Sequence, residues 1–245
     1  MRPRRGRLFE APPDFVGVGA QRAGTSWWFV QLLGHAQVCQ SRLMRKETHF
    51  FDRFGAEPMT DAHIAAYADL FPREPGQIAG EWTPRYMSDP WTPRLLRRAA
   101  PDAKLLVLLR DPVERYRSGV VHRVRATPER RPGVVAADAL ERGRYATHLR
   151  GLRACFDPNR ILVLQYERCR ADPEGELRRT FAFLGLEPRI PRMLRRAIGG
   201  SMTAAKPPLD DDLAAGLRAA LAPELADLAT LAPDLDLSLW PSAAS

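Results

Sequence analysis

Three cysteines, three lysines and no apolar run long enough to cross a membrane are the scarcities of this 245-residue chain. Each closes off a class of protein. Cys39, Cys155 and Cys169 are odd in number and lack metal-ligand spacing, which argues against a disulfide scaffold or a zinc module and for a reducing compartment. The opening MRPRRGRLFEAPPD is charged but has no apolar h-region. We therefore expect a soluble, cytoplasmic protein with no membrane span. With only Lys46, Lys104 and Lys206 as lysines, the net charge of +8 and the pI near 10.0 rest on arginine, spread along the whole chain. A nucleic-acid module would concentrate that charge in a stripe. Steering of a small, highly charged anion accounts for the spread equally well.

What is present alternates. Phe15, Val16 and Val18 read as a buried strand, and Lys104-Leu-Leu-Val-Leu-Leu109 reads as a central parallel strand buried on both faces. Ile161-Leu-Val-Leu164 is a third, with weaker signals at Ala36–Gln40 and Gln77–Glu81. Helical spacing fills the intervals: Trp27–Leu33 closed by Gly34-His35, Thr60–Leu70, Thr92–Ala100, Val134–Phe156, Asp172–Leu184 stopped by Gly185, then Asp210–Leu221 and Pro223–Leu231. The expected fold class is α/β: a single domain with a central parallel sheet flanked by helices. Residues 14–245 form that domain, and residues 1–13 form a flexible basic arm.

The stretch Asp14–Val30 anchors the reading. A strand, the loop Gly19-Ala-Gln-Arg-Ala-Gly24 and a helix leave backbone N–H groups at a helix N-terminus, aimed at an anion. Arg22 adds a fixed charge, and Thr25 and Ser26 add hydroxyls. The pattern is P-loop-like, but Thr25 stands where a nucleotide triphosphatase has lysine. Arg110 follows the strongest strand at its carboxyl end, where open α/β sheets place ligands. Asp111 fits an N-cap, Pro112 a first turn and Glu114 a capping box, with Ser118 two turns in. Arg45-Lys-Glu-Thr-His-Phe-Phe-Asp52 fits either a polar site with apolar walls or a surface loop anchored by Phe50 and Phe51.

GAQRAGTSWW at 19–28, KETHFF at 46–51 and LLVLLRDPVERYRS at 105–118, in that order, resemble the sulfotransferases that use 3′-phosphoadenosine 5′-phosphosulfate. The likeness is closer to heparan-sulfate-type and related bacterial members than to cytosolic small-molecule ones, and runs from about residue 14 to about residue 186. It implies that Gln21, Arg22, Ala23, Gly24, Thr25 and Ser26 wrap the 5′-phosphosulfate of this co-substrate, and that Arg110 and Ser118 hold the 3′-phosphate. Glu47 is then the general base, with His49 beside it as its competitor, and Arg22 the charge at the departing phosphate. The scheme requires no metal. It implies a small-molecule or glycan acceptor and no nucleic-acid partner, and leaves the oligomeric state open. Two departures stand out. Arg22 replaces a customary lysine, and Trp82 stands where heparan-type members often carry another, with Arg85 the candidate substitute. Gly199–Lys206 is the candidate loop over the adenosine, with Lys206 a contact. The rivals are a P-loop kinase or nucleotidase, and a basic nucleic-acid-binding module.

Overall fold

The computed structural model describes residues 8–188, 190 and 208–243. Five strands form one parallel sheet: β2 (Phe15–Gly19), β3 (Val38–Gln40), β5 (Ile78–Trp82), β6 (Lys104–Leu109) and β7 (Ile161–Gln165), in the order β3-β5-β2-β6-β7. β6 follows the apolar run of the sequence, and Leu105 through Leu109 are wholly buried. β2 lies between β5 and β6, with Phe15 opposite Gly80 on one side and Lys104 on the other. Gly17 is required by that packing. A Cβ there would sit 2.0 Å from the Trp82 ring.

This order positions the site. From β2 the chain runs out to β3 and β5, then crosses to β6 and β7 on the other side. Such a reversal opens a crevice beyond the carboxyl ends of the two central strands. The Ala20 N–H donates to the Leu108 carbonyl at 2.8 Å, so the first loop and the end of β6 are joined there. Both sequence segments that carry the phosphate-binding expectation therefore meet.

The helices are α1 (Thr25–Leu33), α2 (Asp61–Ala68), α3 (Thr92–Ala99), α4 (Pro112–Ala126), α5 (Pro132–Glu141), α6 (Tyr145–Arg153), α7 (Tyr166–Ala171), α8 (Pro173–Leu184) and α9 (Asp211–Leu231). Four expectations change. Residues 8–13 are tethered: β1 (Phe9–Glu10) pairs antiparallel with β4 (Pro72–Arg73), and Arg73 donates to the carbonyls of Ala11 and Pro12. The other arm residues, 1–7, lie outside the described residues. The helical run 134–156 is two helices, broken at Gly143, which lets Tyr145 turn and donate to the Arg110 carbonyl at 2.9 Å. The closing pair is one helix that passes through Pro223, because Leu217, Leu221, Leu225 and Leu228 keep one continuous buried stripe across it. α7 was not expected, since Tyr166–Ala171 has too few apolar residues to show a period.

Candidate active site

The first loop ends in a tight left-handed turn. Gly24 has φ 92° and caps α1, and a Cβ on it would sit 2.7 Å from the Tyr166 ring. Glycine is needed on both counts. No side chain caps α1, so the N–H groups of its first turn face outward with Thr25 buried beside them and Ser26 exposed. Ala23 is buried and shapes the turn through its N–H, which donates to the Ala20 carbonyl. Gln21 lines a small cleft with Ser88, Arg142 and His148.

Arg22 leaves the loop at φ 69° and its Nε donates to Ser118 Oγ at 3.3 Å. Ser118 is buried on α4. Burial, and then the neighbouring Arg110 charge, push the Arg22 guanidinium below its ordinary value. Among the described residues no carboxylate pairs with Arg22. Arg110 is largely buried, stacks over the Tyr166 ring at 4.9 Å, and bonds Glu114 at 3.2 Å. Thus Ser118, which the resemblance pairs with Arg110, bonds Arg22 of the first loop, and the Arg110 charge also acts on Arg22. Lys206 and the loop from Gly199 lie outside the described residues.

Asp111 caps α4 by accepting from the N–H groups of Val113 and Glu114, both at 2.9 Å. Glu114 does not close the expected capping box, because its carboxylate is drawn to Arg110 and Arg117. The Asp111 N–H donates to Glu167 instead, at 3.1 Å. Glu167 also accepts from the Trp240 indole, and Asp111 from the Ser242 N–H. The end of the chain is thereby stitched against the strand end that carries Arg110.

The second half of the site is a line of ionisable side chains in contact. Lys46 Nζ contacts Thr25 Oγ1 at 3.1 Å and Glu47 Oε1 at 2.8 Å. Glu47 Oε2 meets His49 Nε2 at 3.2 Å, and His49 Nδ1 meets Asp52 at 3.0 Å. Asp52 reaches Arg85 at 3.5 Å, and Arg85 is bonded to Asp89 at 2.8 Å. Glu47 is about one-third exposed (33%). Phe50 and Phe51 do not wall it; their rings pack on Phe54, Tyr67 and Tyr86.

Beneath this line lies Glu81, wholly buried and without a cation among the described residues. It accepts from Thr48 N, Thr48 Oγ1, Thr83 Oγ1 and Tyr67 OH, at 3.0, 2.7, 2.6 and 2.7 Å. Burial raises its carboxyl above the ordinary value, and the four donors pull the other way. Its position holds Thr48, and with it the segment that presents Glu47 and His49. Trp82, next in the chain, turns into the core and donates its indole N–H to the Gly19 carbonyl. Arg85 does not replace a lysine at the phosphate loop, since Asp52 and Asp89 hold it at the other end.

Two residues escaped sequence reasoning. Lys46 stood in the motif without a role, although its rarity as one of three lysines was a signal. Tyr166 gave none, since its contacts to Gly24, Arg110 and Trp27 join distant segments.

A parallel α/β sheet with a glycine-bearing strand-loop-helix turn at its topological switch point defines the class. Within it, the chain belongs to the sulfotransferase domain family, whose profile matches residues 12–201. It is 33% identical over 189 residues to mouse (Mus musculus) heparan sulfate glucosamine 3-O-sulfotransferase 3B1, a match covering 71% of this chain and 46% of that one. The mouse heparan sulfate glucosamine 3-O-sulfotransferase 6 is 34% identical over 188 residues, covering 71% of this chain and 53% of that protein. The chain spans about half the length of the curated relatives it matches. A sulfotransferase from Alicyclobacillus acidocaldarius superposes with a TM-score of 0.71 at 26% identity, covering 94% of this chain and 99% of that one. The kinase and nucleic-acid readings are not favoured. Among the described residues no helix is long and apolar enough to cross a membrane.

Proposed function

We propose that this protein transfers a sulfuryl group from 3′-phosphoadenosine 5′-phosphosulfate to a hydroxyl or amine of a small-molecule or glycan acceptor, releasing adenosine 3′,5′-bisphosphate. The observation that carries the reading is the convergence of Arg22, Arg110 and Ser118, with no carboxylate on Arg22 among the described residues. The Arg22 guanidinium, lowered by burial and then by the neighbouring Arg110 charge, fits an anion placed between the two side chains. The bound donor supplies an activated sulfuryl group on a phosphate that can leave.

Residues 20–26 hold the 5′-phosphosulfate end through the N–H groups that open α1, while Arg110 and Ser118 hold the 3′-phosphate. Arg22, oriented by its bond to Ser118, stabilises the charge that gathers on the phosphate oxygen. Glu47 takes the acceptor's proton. His49 steadies Glu47 through its 3.2 Å contact and is itself held by Asp52. Tyr166 and Trp27 add ring faces beside the loop, suited to a base. The cysteines are free, which supports a reducing, cytoplasmic setting.

A thermal-shift panel with adenosine 3′,5′-bisphosphate, Mg-ATP and duplex DNA tests the reading. Selective stabilisation by the bisphosphate is expected. Stabilisation by Mg-ATP or DNA without it would overturn the assignment.

A further inference from the structure

Arg22 satisfies one requirement of a departing phosphate and cannot satisfy another. Its guanidinium supplies charge, but it does not release a proton near neutral pH. Trp82 is sealed in the core, and Arg85 is tied to two aspartates at the acceptor end. The titratable cation at the mouth of α1 is Lys46. Its ammonium arrives from the KETHFF segment rather than from the loop, lies 3.1 Å from Thr25 Oγ1, and is mostly buried, at 15% exposed. On its other side, 2.8 Å away, is Glu47. One side chain thus touches both the phosphate-binding turn and the base.

Resting on the sulfuryl-transfer reading above, we propose that Lys46 is the acid of the reaction, and that its contact with Glu47 completes a proton circuit. As the acceptor oxygen bonds to sulfur and the sulfur–oxygen bond to phosphate breaks, Glu47 takes the acceptor's proton. Lys46 gives one proton to the departing 5′-phosphate oxygen. Glu47 then returns its proton to the neutral Lys46 amine across their contact. The net movement is one proton from acceptor to phosphate, with both side chains restored.

The surroundings suit the role. Burial lowers the Lys46 ammonium, hydrogen bonding and attraction from Glu47 raise it, and Arg22 lowers it further. His49 faces the far side of Glu47. His122, on α4, feels both Arg22 and Glu47. The Arg110 charge acts on Arg22. A lysine so placed yields a proton more easily than one in water.

The test is calorimetric and needs no acceptor. Binding of adenosine 3′,5′-bisphosphate is measured in buffers of different ionisation enthalpy, between about pH 7 and 10. A 5′-phosphate laid against Lys46 favours its charged form. Wild type therefore takes up protons at the alkaline end, with the bisphosphate and not with adenosine 3′-phosphate. Lys46→Arg keeps the charge and so keeps affinity within about threefold, but abolishes the uptake. Lys46→Met weakens binding by about tenfold or more. Uptake that persists in Lys46→Arg, that appears equally with adenosine 3′-phosphate, or that is absent from wild type would overturn the proposal. Failure of wild type to bind the bisphosphate at all would instead sink the sulfuryl-transfer reading.

Discussion

At the phosphate-loop end Arg22 faces Ser118 and Arg110 with no carboxylate partner among the described residues, whereas at the far end Arg85 is shared by Asp52 and Asp89. Arg142, nearby, is bonded to both carboxylate oxygens of Asp138 at 3.0 Å. One end keeps unmatched positive charge and fits a multiply charged anion. The other has neutralised itself, so its partner is selected by shape and hydrogen bonding more than by charge. The same contrast separates the two glutamates on either side of Thr48. Glu47 is partly exposed and held by Lys46 and His49, while Glu81 is buried among hydroxyls. The first fits the proposed base, and the second supports the segment that carries it.

The largest expected effect falls where the two ends join. Glu47→Gln keeps the shape and removes the base, so turnover should fall by about 10²–10⁴-fold with bisphosphate affinity nearly unchanged. Single-turnover rates beside calorimetry check it. If His49→Asn fails while Glu47→Gln transfers normally, His49 is the base. Next comes the nucleotide end itself. Arg110→Ala removes a charged partner worth roughly 1.5–3 kcal/mol, so bisphosphate binding should weaken by about ten- to a hundredfold in titration calorimetry.

Glu81 sharpens the contrast through stability. A raised carboxyl binds its proton more tightly in the folded than in the unfolded chain. Its stabilising contribution is therefore complete below the ordinary value of 4.5 and is lost as pH rises through the raised one. Glu81→Gln should remove that component from a urea-unfolding series across pH. It should also cost about 1–3 kcal/mol, because an amide NH₂ now opposes fixed donors such as the Thr48 N–H. The smallest effect is expected from Arg85→Ala. It should leave bisphosphate affinity within about twofold, since the residue is paired with Asp52 and Asp89 and partly exposed. A large loss would erase the distinction between the two ends.

How much was legible followed from locality. The Phe15–Gly19 strand, the glycine turn, the Asp111 cap and the Lys104–Leu109 strand are written in adjacent residues, and each formed as read. The resemblance paired Ser118 with Arg110, and the bond between Ser118 and Arg22 was not read, since no local pattern joins residues so far apart. Glu114 illustrates the limit: its spacing fits a capping box, but two arginines draw its carboxylate away and the distant Glu167 accepts from the Asp111 N–H. Pro223 is the same lesson in a helix, where burial of flanking leucines overrides the local break. The Lys46–Thr25 contact is hidden from the sequence for a further reason. A lysine was sought after Gly24, at its place in the sequence, and the fold brings one to Thr25 from another segment.

The central claim is that the phosphate-loop end is built for two phosphates on one nucleoside. Titration calorimetry of the wild-type protein with adenosine 3′,5′-bisphosphate and with adenosine 5′-phosphate tests it most directly. The two ligands differ by the 3′-phosphate that Arg110 and Ser118 are assigned to hold, so the bisphosphate should bind at least about tenfold more tightly. Equal affinities would contradict the assignment of that pair, and with it the account of the unmatched positive end.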